Sequence, residues 1–284
     1  MKGRAPPVGL DTFGTTDPHE ACILPGEEIS SAHRNRQTKE RIMKVFQIYI
    51  SEGNQPMGPI LSSYVESVKQ NISYLEHELL NNNQIENFLK QHFKNDVIRA
   101  YQKLKPFAYK CDLARLCLLK IFGGWYIDLG FKATVPITSV NDNINLIALR
   151  DTTRYSEVSW ACANNLIYSK PEHPAINRAI ELITENCKNE YYGINQLSPT
   201  GPYVFGQAIA EYGPSQHTMF GDFLELTPNH LNKNRAAVLP DGTIIAMYKP
   251  SMRQGLRQDL SEAGAQGTNN YETLWMNRDI YQQD

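Results

Sequence analysis

What this chain lacks excludes several classes of protein. Its five cysteines, Cys22, Cys111, Cys117, Cys162 and Cys187, are odd in number and form no C-x-x-C pair and no Cys/His zinc spacing. They read as reduced thiols packed mostly in the core. No G-x-G-x-x-G occurs, which removes the usual dinucleotide fingerprint. The loop from Gly53 to Gly58 spaces two glycines as a phosphate loop does, but Pro59 and Ile60 follow where that motif needs lysine and a hydroxyl. Positive charge is not in excess: the formal net charge is -2, which argues against a mainly electrostatic nucleic-acid binder. No apolar run approaches the roughly 18 residues that span a bilayer. The N-terminus has no apolar core of a secretory signal, so a cytoplasmic location is expected. The sequon Asn71-Ile72-Ser73 is then a coincidence of sequence.

What is present is an ordinary globular composition, 41% hydrophobic and 20% charged over 284 residues, long enough for one large domain or two small ones. Residues 1–40 are rich in Gly, Pro, Thr and charge without sustained periodicity, and read as a disordered tail or extension. Residues 41–284 read as the folded domain. It opens on Met43 to Ile50, alternating and β-branched like a first strand, and Met43 is a candidate natural start. From Leu61 to Leu104 the pattern is helical, with Val65, Val68, Ile72 and Leu75 on one stripe and Ile85, Phe88, Leu89 and Phe93 on another. Strands separated by long helices favour an α/β fold.

The chain is organised around Phe107 to Thr134. Cys111, Ala114, Leu118 and Ile121 recur at helical spacing as one buried face, with Asp112 and Arg115 three apart on another. The pair Gly123-Gly124 ends that helix, since glycine takes the left-handed cap without a Cβ penalty. Trp125-Tyr126-Ile127 then reads as a short strand ending at Asp128, and period two puts Tyr126 and Asp128 on one face. An acid, a guanidinium and a second acid are thus delivered towards one region. Taken alone, Asp112 and Arg115 are equally a surface ion pair worth a few tenths of a kcal/mol.

This order of residues, D-x-x-R, an aliphatic run, then G-G-x-Y-x-D, resembles the DXD-type sugar transferases of glycosyltransferase family 32 and, more distantly, the glucosylating domain of large clostridial toxins. Asp112, Arg115, Leu119, Gly123, Gly124, Tyr126 and Asp128 carry the match, and Gly130 stands where the family has its second acid. The resemblance implies a single GT-A-like α/β domain, a Rossmann-type, mostly parallel sheet flanked by helices, with a helical insertion before the central motif. It also implies a donor site in which Asp112, Arg115, Tyr126 and Asp128 contact the nucleotide sugar. In an extended segment two acids at i and i+2 face one divalent cation. With Gly130 only Asp128 remains, so Mn²⁺ or Mg²⁺ is held by other ligands, held weakly, or not used.

Weaker matches follow along the chain. The run Asn165 to Pro174 resembles a family segment whose asparagine lies near the donor sugar; the alternative for Asn164-Asn165 is a turn or bulge. His173 reads as structural, in the turn before a helix from Ala175 to Cys187. Thr200 caps a helix running to Tyr212 or, by resemblance, edges the donor site. A hairpin joins Ala236–Leu239 to Thr243–Tyr248, and Lys249, Arg253 and Arg257 form a basic loop that is solvated or braces a diphosphate. Near the C-terminus Asn270, Thr273 and Trp275 match the spacing of a toxin loop that supplies metal ligands (Asn270, Thr273) and a donor contact (Trp275); otherwise they belong to an amphipathic helix with Trp275 in the core.

The resemblance implies a retaining hexosyltransferase that moves a sugar from a nucleotide diphosphate donor, a UDP-sugar ahead of GDP-mannose, to a glycan or polysaccharide acceptor hydroxyl. A catalytically degenerate binder of nucleotide sugar or glycan is the alternative that Gly130 raises. A glycoside hydrolase fits less well, because nothing marks its general acid.

Overall fold

A computed structural model describes residues 42–153, 156–213, 215–226, 235–249 and 270–283. The first strand, β1 (Lys44–Ile48), leads into α1 (Pro59–Gln70), which starts on a proline suited to the first helical turn. A second strand, β2 (Glu76–Leu80), pairs in parallel with β1, where the sequence pattern had suggested helix throughout. The segment EHELL has no strong β propensity; the ladder to β1 and the bond between His77 Nε2 and Gln47 Oε1 at 2.9 Å decide its state. Two helices follow, α2 (Asn82–His92), opened by a capping box of Asn81 and Gln84, and α3 (Asn95–Lys103). They form the expected insertion before α4 (Phe107–Phe122).

Helix α4 is buried nearly all round rather than along one face, because it packs between the sheet and its neighbouring helices. It ends at Gly123, whose φ of +64° is the expected left-handed termination. Gly124 has φ +94° and lies so close to β1 that a Cβ would come 2.3 Å from the Lys44 carbonyl oxygen. The close approach lets β3 (Gly124–Ile127) pair in parallel with β1.

Next come β4 (Phe131–Ala133), β5 (Leu146–Asp151), β6 (Cys162–Ser169), α5 (Pro174–Lys188) and α6 (Pro202–Tyr212). The chain continues through β7 (Thr218–Glu225), β8 (Arg235–Val238), β9 (Ile244–Tyr248) and the short α7 (Tyr271–Met276). His173 caps α5, its Nδ1 accepting the Ala175 N–H at 3.2 Å, as the structural reading expected. The hairpin of β8 and β9 is present.

The nine strands among the described residues form one sheet in the order β2-β1-β3-β6-β5-β7-β8-β9-β4. The α/β class holds, but the sheet is mixed rather than mostly parallel. Only β1–β2, β1–β3 and β5–β7 pair in parallel, while β3–β6, β5–β6, β7–β8, β8–β9 and β4–β9 are antiparallel. Side chains alternate across it: Phe46 and Tyr126 join the core beneath α4, whereas Val45, Trp125 and Ile127 join a second core on the other face with Val68 of α1. Residues 1–40, read as a tail, lie outside the described residues, as does Arg41.

Strand directions fix what meets at each end of the sheet. With β1, β3, β5, β7 and β9 running one way and β6, β8 and β4 the other, one end gathers the carboxyl ends of β3, β5 and β9 with the amino ends of β4, β6 and β8. Asp128, Asp151, Lys249, Phe131, Cys162 and Arg235 all lie at that end. Open α/β sheets bind ligands outside the carboxyl ends of their strands.

Candidate active site

Arg115 is the centre of the site. It is 3% exposed and uses every edge of its guanidinium. Nε donates to the Cys111 carbonyl at 3.1 Å and Nη1 to the Asn164 carbonyl. Nη2 lies 3.0 Å from Asp112 Oδ1 and 3.4 Å from Asp128 Oδ1, and the guanidinium carbon is 4.5 Å from the centre of the Tyr126 ring. One cation therefore holds two carboxylates and rests on an aromatic face. Spacing of i and i+3 on α4 brings Arg115 to Asp112, and the turn at Gly123-Gly124 folds β3 back to bring Asp128.

The two acids have different surroundings. Asp112 is buried and saturated: Oδ1 accepts from Asn164 Nδ2 at 2.9 Å as well as from Arg115, and Oδ2 accepts from Thr200 Oγ1 at 2.7 Å. Burial pushes its carboxyl up to about 6, against the opposing pull of Arg115 and the Thr200 hydroxyl. Asp128 keeps a quarter of its side chain open to solvent. Its Oδ1 accepts from Tyr126 Oη at 2.7 Å, so Tyr126 and Asp128 do share a face. The surface ion pair that the sequence allowed for Asp112 and Arg115 is thus replaced by a buried network. In that network Asp128 is the acid open to solvent, paired with Arg115, and Asp112 lies buried on the other side of the same guanidinium.

Thr200 joins the network but does not cap α6; Gly201 takes the N-cap position, and the Thr200 hydroxyl is turned to Asp112. Of the two asparagines, Asn164 reaches Asp112. Asn165 accepts the Asp128 N–H through its backbone carbonyl at 2.8 Å, while its side-chain Oδ1 is buried with no hydrogen-bond partner among the described residues. The pair lies where β6 departs from regular pairing with β5, the bulge that two consecutive amides suggested. An unsatisfied buried acceptor in a native structure calls for an explanation, such as a ligand hydroxyl.

The C-terminal segment packs its tryptophan against the core. Trp275 Nε1 donates to the Tyr192 carbonyl at 2.7 Å, and its ring packs against the core beneath α4, the amphipathic-helix alternative. Tyr271 of α7 packs its ring against Tyr109, with centroids 5.8 Å apart. Burial, with a smaller contribution from the Asp112 charge, lifts the Tyr271 phenol to about 12. Asn270 Oδ1 caps α7 by accepting the Thr273 N–H at 3.1 Å. Residues 267–269 of that stretch, and Arg253 and Arg257 of the basic loop, lie outside the described residues.

The missing second acid has a structural counterpart. A Cβ on Gly130 would stand 2.6 Å from Cε2 of Tyr248, so the Tyr248 ring fills the space a longer residue would occupy. That ring is wedged by Phe131 and Phe223, with centroids 5.0 and 5.5 Å away. The described residues do not fit a two-carboxylate metal site: the second carboxylate position is filled, Asp128 Oδ1 is committed to Tyr126 and Arg115, and Asn270 Oδ1 is committed to its helix. Among the described residues no group of three or more His, Cys, Asp or Glu side chains is placed to hold a metal ion. Tyr248 escaped the sequence reading because it reaches Gly130 from a separate strand.

The site is thus a buried charge network at the carboxyl end of β3 in a mixed α/β sheet, with one of its acids open to solvent. The chain belongs to the capsular polysaccharide synthesis protein family, whose model matches residues 25–208. An uncharacterized glycosyltransferase of Acanthamoeba polyphaga mimivirus is 30% identical over 177 residues, 61% of this chain and 66% of the relative, so the chain spans just under two thirds of that protein. Among solved structures the chain is similar to the PaToxG glycosyltransferase, with a TM-score of 0.48 and 18% identity over 61% of this chain and 70% of that one. It is similar also to the catalytic domain of alpha-toxin from Clostridium novyi, with a TM-score of 0.36 and 10% identity over 62% and 64%. Among the described residues no helix is long and apolar enough to cross a membrane.

Proposed function

We propose that this protein is a glycosyltransferase, a hexosyltransferase of the cytoplasm that moves a sugar from a nucleotide diphosphate donor to a hydroxyl of a glycan or polysaccharide. A UDP-sugar is the first donor to test and GDP-mannose the second. Membership of the capsular polysaccharide synthesis family, the glycosyltransferase named as a relative and the resemblance to glycosyltransferase family 32 support the reading. The observation that carries it is the clamped carboxylate: Asp128 is held by Arg115 and Tyr126 at the carboxyl end of β3, its N–H bonded to the carbonyl of Asn165, whose side-chain Oδ1 is unsatisfied.

Cleavage of the anomeric bond leaves negative charge on the departing diphosphate, and the site lowers the barrier by fixing charges and dipoles before the reaction starts. In this reading Asp128 and Asn165 Oδ1 accept hydroxyls of the donor, Asp112 and Arg115 fix Asp128, and Thr200 fixes Asp112. The fold is read as GT-A-like and the stereochemistry as retaining, both from the resemblance.

The test is release of UDP or GDP from a panel of sugar donors, with and without polysaccharide acceptors, by wild type and Asp128→Asn. One donor is expected to turn over. The variant, its melting temperature unchanged, is expected to lose about 10²-fold in kcat, the scale of removing one organised charge contact. Full activity in Asp128→Asn, or neither binding nor turnover of any donor, would overturn the reading. Nucleotide-sugar binding without transfer under every condition would instead establish the degenerate binder that Gly130 raises.

A further inference from the structure

Building on the proposed transferase reading, we infer that the aromatic surface formed by residues 190–194 and the end of α7 binds the acceptor glycan, with Arg278 as its hydrogen-bonding anchor.

Tyr191, Ile194 and Met276 are 47%, 63% and 54% exposed, which leaves three large apolar side chains at solvent on two segments that pack together. The Tyr191 and Tyr192 carbonyls tie those segments, accepting from Tyr281 Oη at 2.6 Å and from Trp275 Nε1 at 2.7 Å. Arg278 lies across both. Its guanidinium carbon is 4.5 Å from the centre of the Tyr192 ring and 5.5 Å from that of Trp275. It is exposed, and among the described residues its side-chain N–H groups have no hydrogen-bond or carboxylate partner. Helix α7 closes in a Schellman motif, with the Arg278 N–H on the Trp275 carbonyl at 3.0 Å and the Asp279 N–H on the Leu274 carbonyl at 2.8 Å. Arg278 therefore holds the left-handed position, φ +54°, where glycine is usual. A less favourable backbone is kept there, and it carries a guanidinium set flat over two rings.

The surface is rigid and leads to the carboxylate network. Gly193 has φ +65° and approaches Ser198 so closely that a Cβ would stand 2.1 Å from the serine Cβ. Ser198 Oγ accepts the N–H groups of Ile194 and Asn195 at 3.2 and 3.3 Å. Tyr109, one turn before Asp112 on α4, donates its hydroxyl to the Gln196 carbonyl at 2.6 Å and packs against Tyr271 at the start of α7. The same loop ends at Thr200, whose hydroxyl is on Asp112. One short loop thus carries the exposed rings at its beginning and a member of the network at its end. At a rise of about 1.5 Å per residue, the six residues of α7 extend the surface about 9 Å beyond the contact of Tyr271 with Tyr109.

The chemistry fits a chain of sugars. The C–H face of a sugar ring packs on an aromatic face, and hydroxyls at its edge accept from a guanidinium whose donors are otherwise unused. Rings fixed before binding lose little freedom on contact. An acceptor whose hydroxyl enters the site must lay its remaining sugars on a neighbouring surface, and this one is built on the site's own loop.

The experiment measures binding of the full chain to an array of short neutral and uronic-acid oligosaccharides of increasing length, for wild type, Tyr191→Ala and Arg278→Gly. Acceptor KM and kcat with the best-bound sugar, and mass by light scattering, are measured beside it. Wild type is expected to bind at least one series, more tightly as it lengthens. Both variants are expected to lose about tenfold or more in affinity, with KM for the acceptor rising to match and kcat within about twofold of wild type. Arg278→Gly is expected to melt no lower than wild type, because glycine suits that backbone, so its loss of binding is not a loss of folding. Binding of no oligosaccharide by wild type, or equal binding by all three proteins, would overturn the inference and leave the transferase reading intact. A wild-type dimer that Tyr191→Ala dissociates would assign the surface to a second copy and overturn it equally. Absence of any nucleotide-sugar binding or turnover, with oligosaccharides still bound, would remove the transferase reading instead.

Discussion

Asp112 shows how far a residue's role departs from its sequence position. On α4 it is one of an i,i+3 pair, a pattern that on a surface contributes little. Its burial raises its folded carboxyl to about 6 from an ordinary 3.8. The folded state then binds this proton more tightly than the unfolded chain. The stability it contributes is full below pH about 3.8 and is lost as pH rises through about 6, on the order of 3 kcal/mol. Asp112→Asn does not titrate, so its unfolding free energy in urea, compared with wild type, should improve steadily from pH 4 to pH 7. A difference that stays flat over that window would refute the raised value. Gly130 makes the second residue-scale prediction. Gly130→Asp restores the acid pattern but drives a Cβ into the wedged Tyr248 ring, at a cost of about 1–3 kcal/mol. Tyr248→Ala in the same chain should relieve part of that loss, a non-additivity that a double-mutant cycle measures.

At the scale of elements, the unit that matters is α4, the Gly123-Gly124 turn and β3. Most of it was legible, because helical spacing, a glycine stop and an aromatic strand are local signals. What the pattern missed is that α4 is enclosed, which only its neighbours determine. Gly124 is where the unit is most constrained, having both a positive φ and the Lys44 carbonyl in the way of any Cβ. Gly124→Ala should therefore cost about 2–4 kcal/mol and, by displacing β3 from β1, misplace Asp128. The check is the denaturant midpoint together with nucleotide affinity; a midpoint equal to wild type would contradict the packing at this turn. Strand β2 was not legible at all. Its residues take the extended form because β1 offers an open edge, an influence no window of sequence contains.

For the whole molecule, the mixed topology is what turns separate residues into one site. Antiparallel returns by β6, β8 and β4 bring Asn164, Arg235 and Phe131 to the end where β3, β5 and β9 deliver Asp128, Asp151 and Lys249. A donor nucleotide bound there joins several strands, so at about 100 times its Kd it should add about 2.7 kcal/mol to global stability. It should also slow amide exchange at Phe131 and Lys249, whose N–H groups bond to Asp128 and Gly130 across the site. Stabilisation without slower exchange at those two amides would place the nucleotide elsewhere. The sequence by itself determined the α/β class, the central helix, turn and strand, and the acid at that strand's end, since helical and strand periodicities and glycine's freedom act over a few residues. Only the tertiary structure decided that Arg115 clamps both acids from within, that Asn164 rather than Asn165 meets Asp112, and that the Tyr248 ring fills the space beside Gly130. Those choices depend on strand order and register, and residues more than a hundred positions apart become neighbours only when the ladders form.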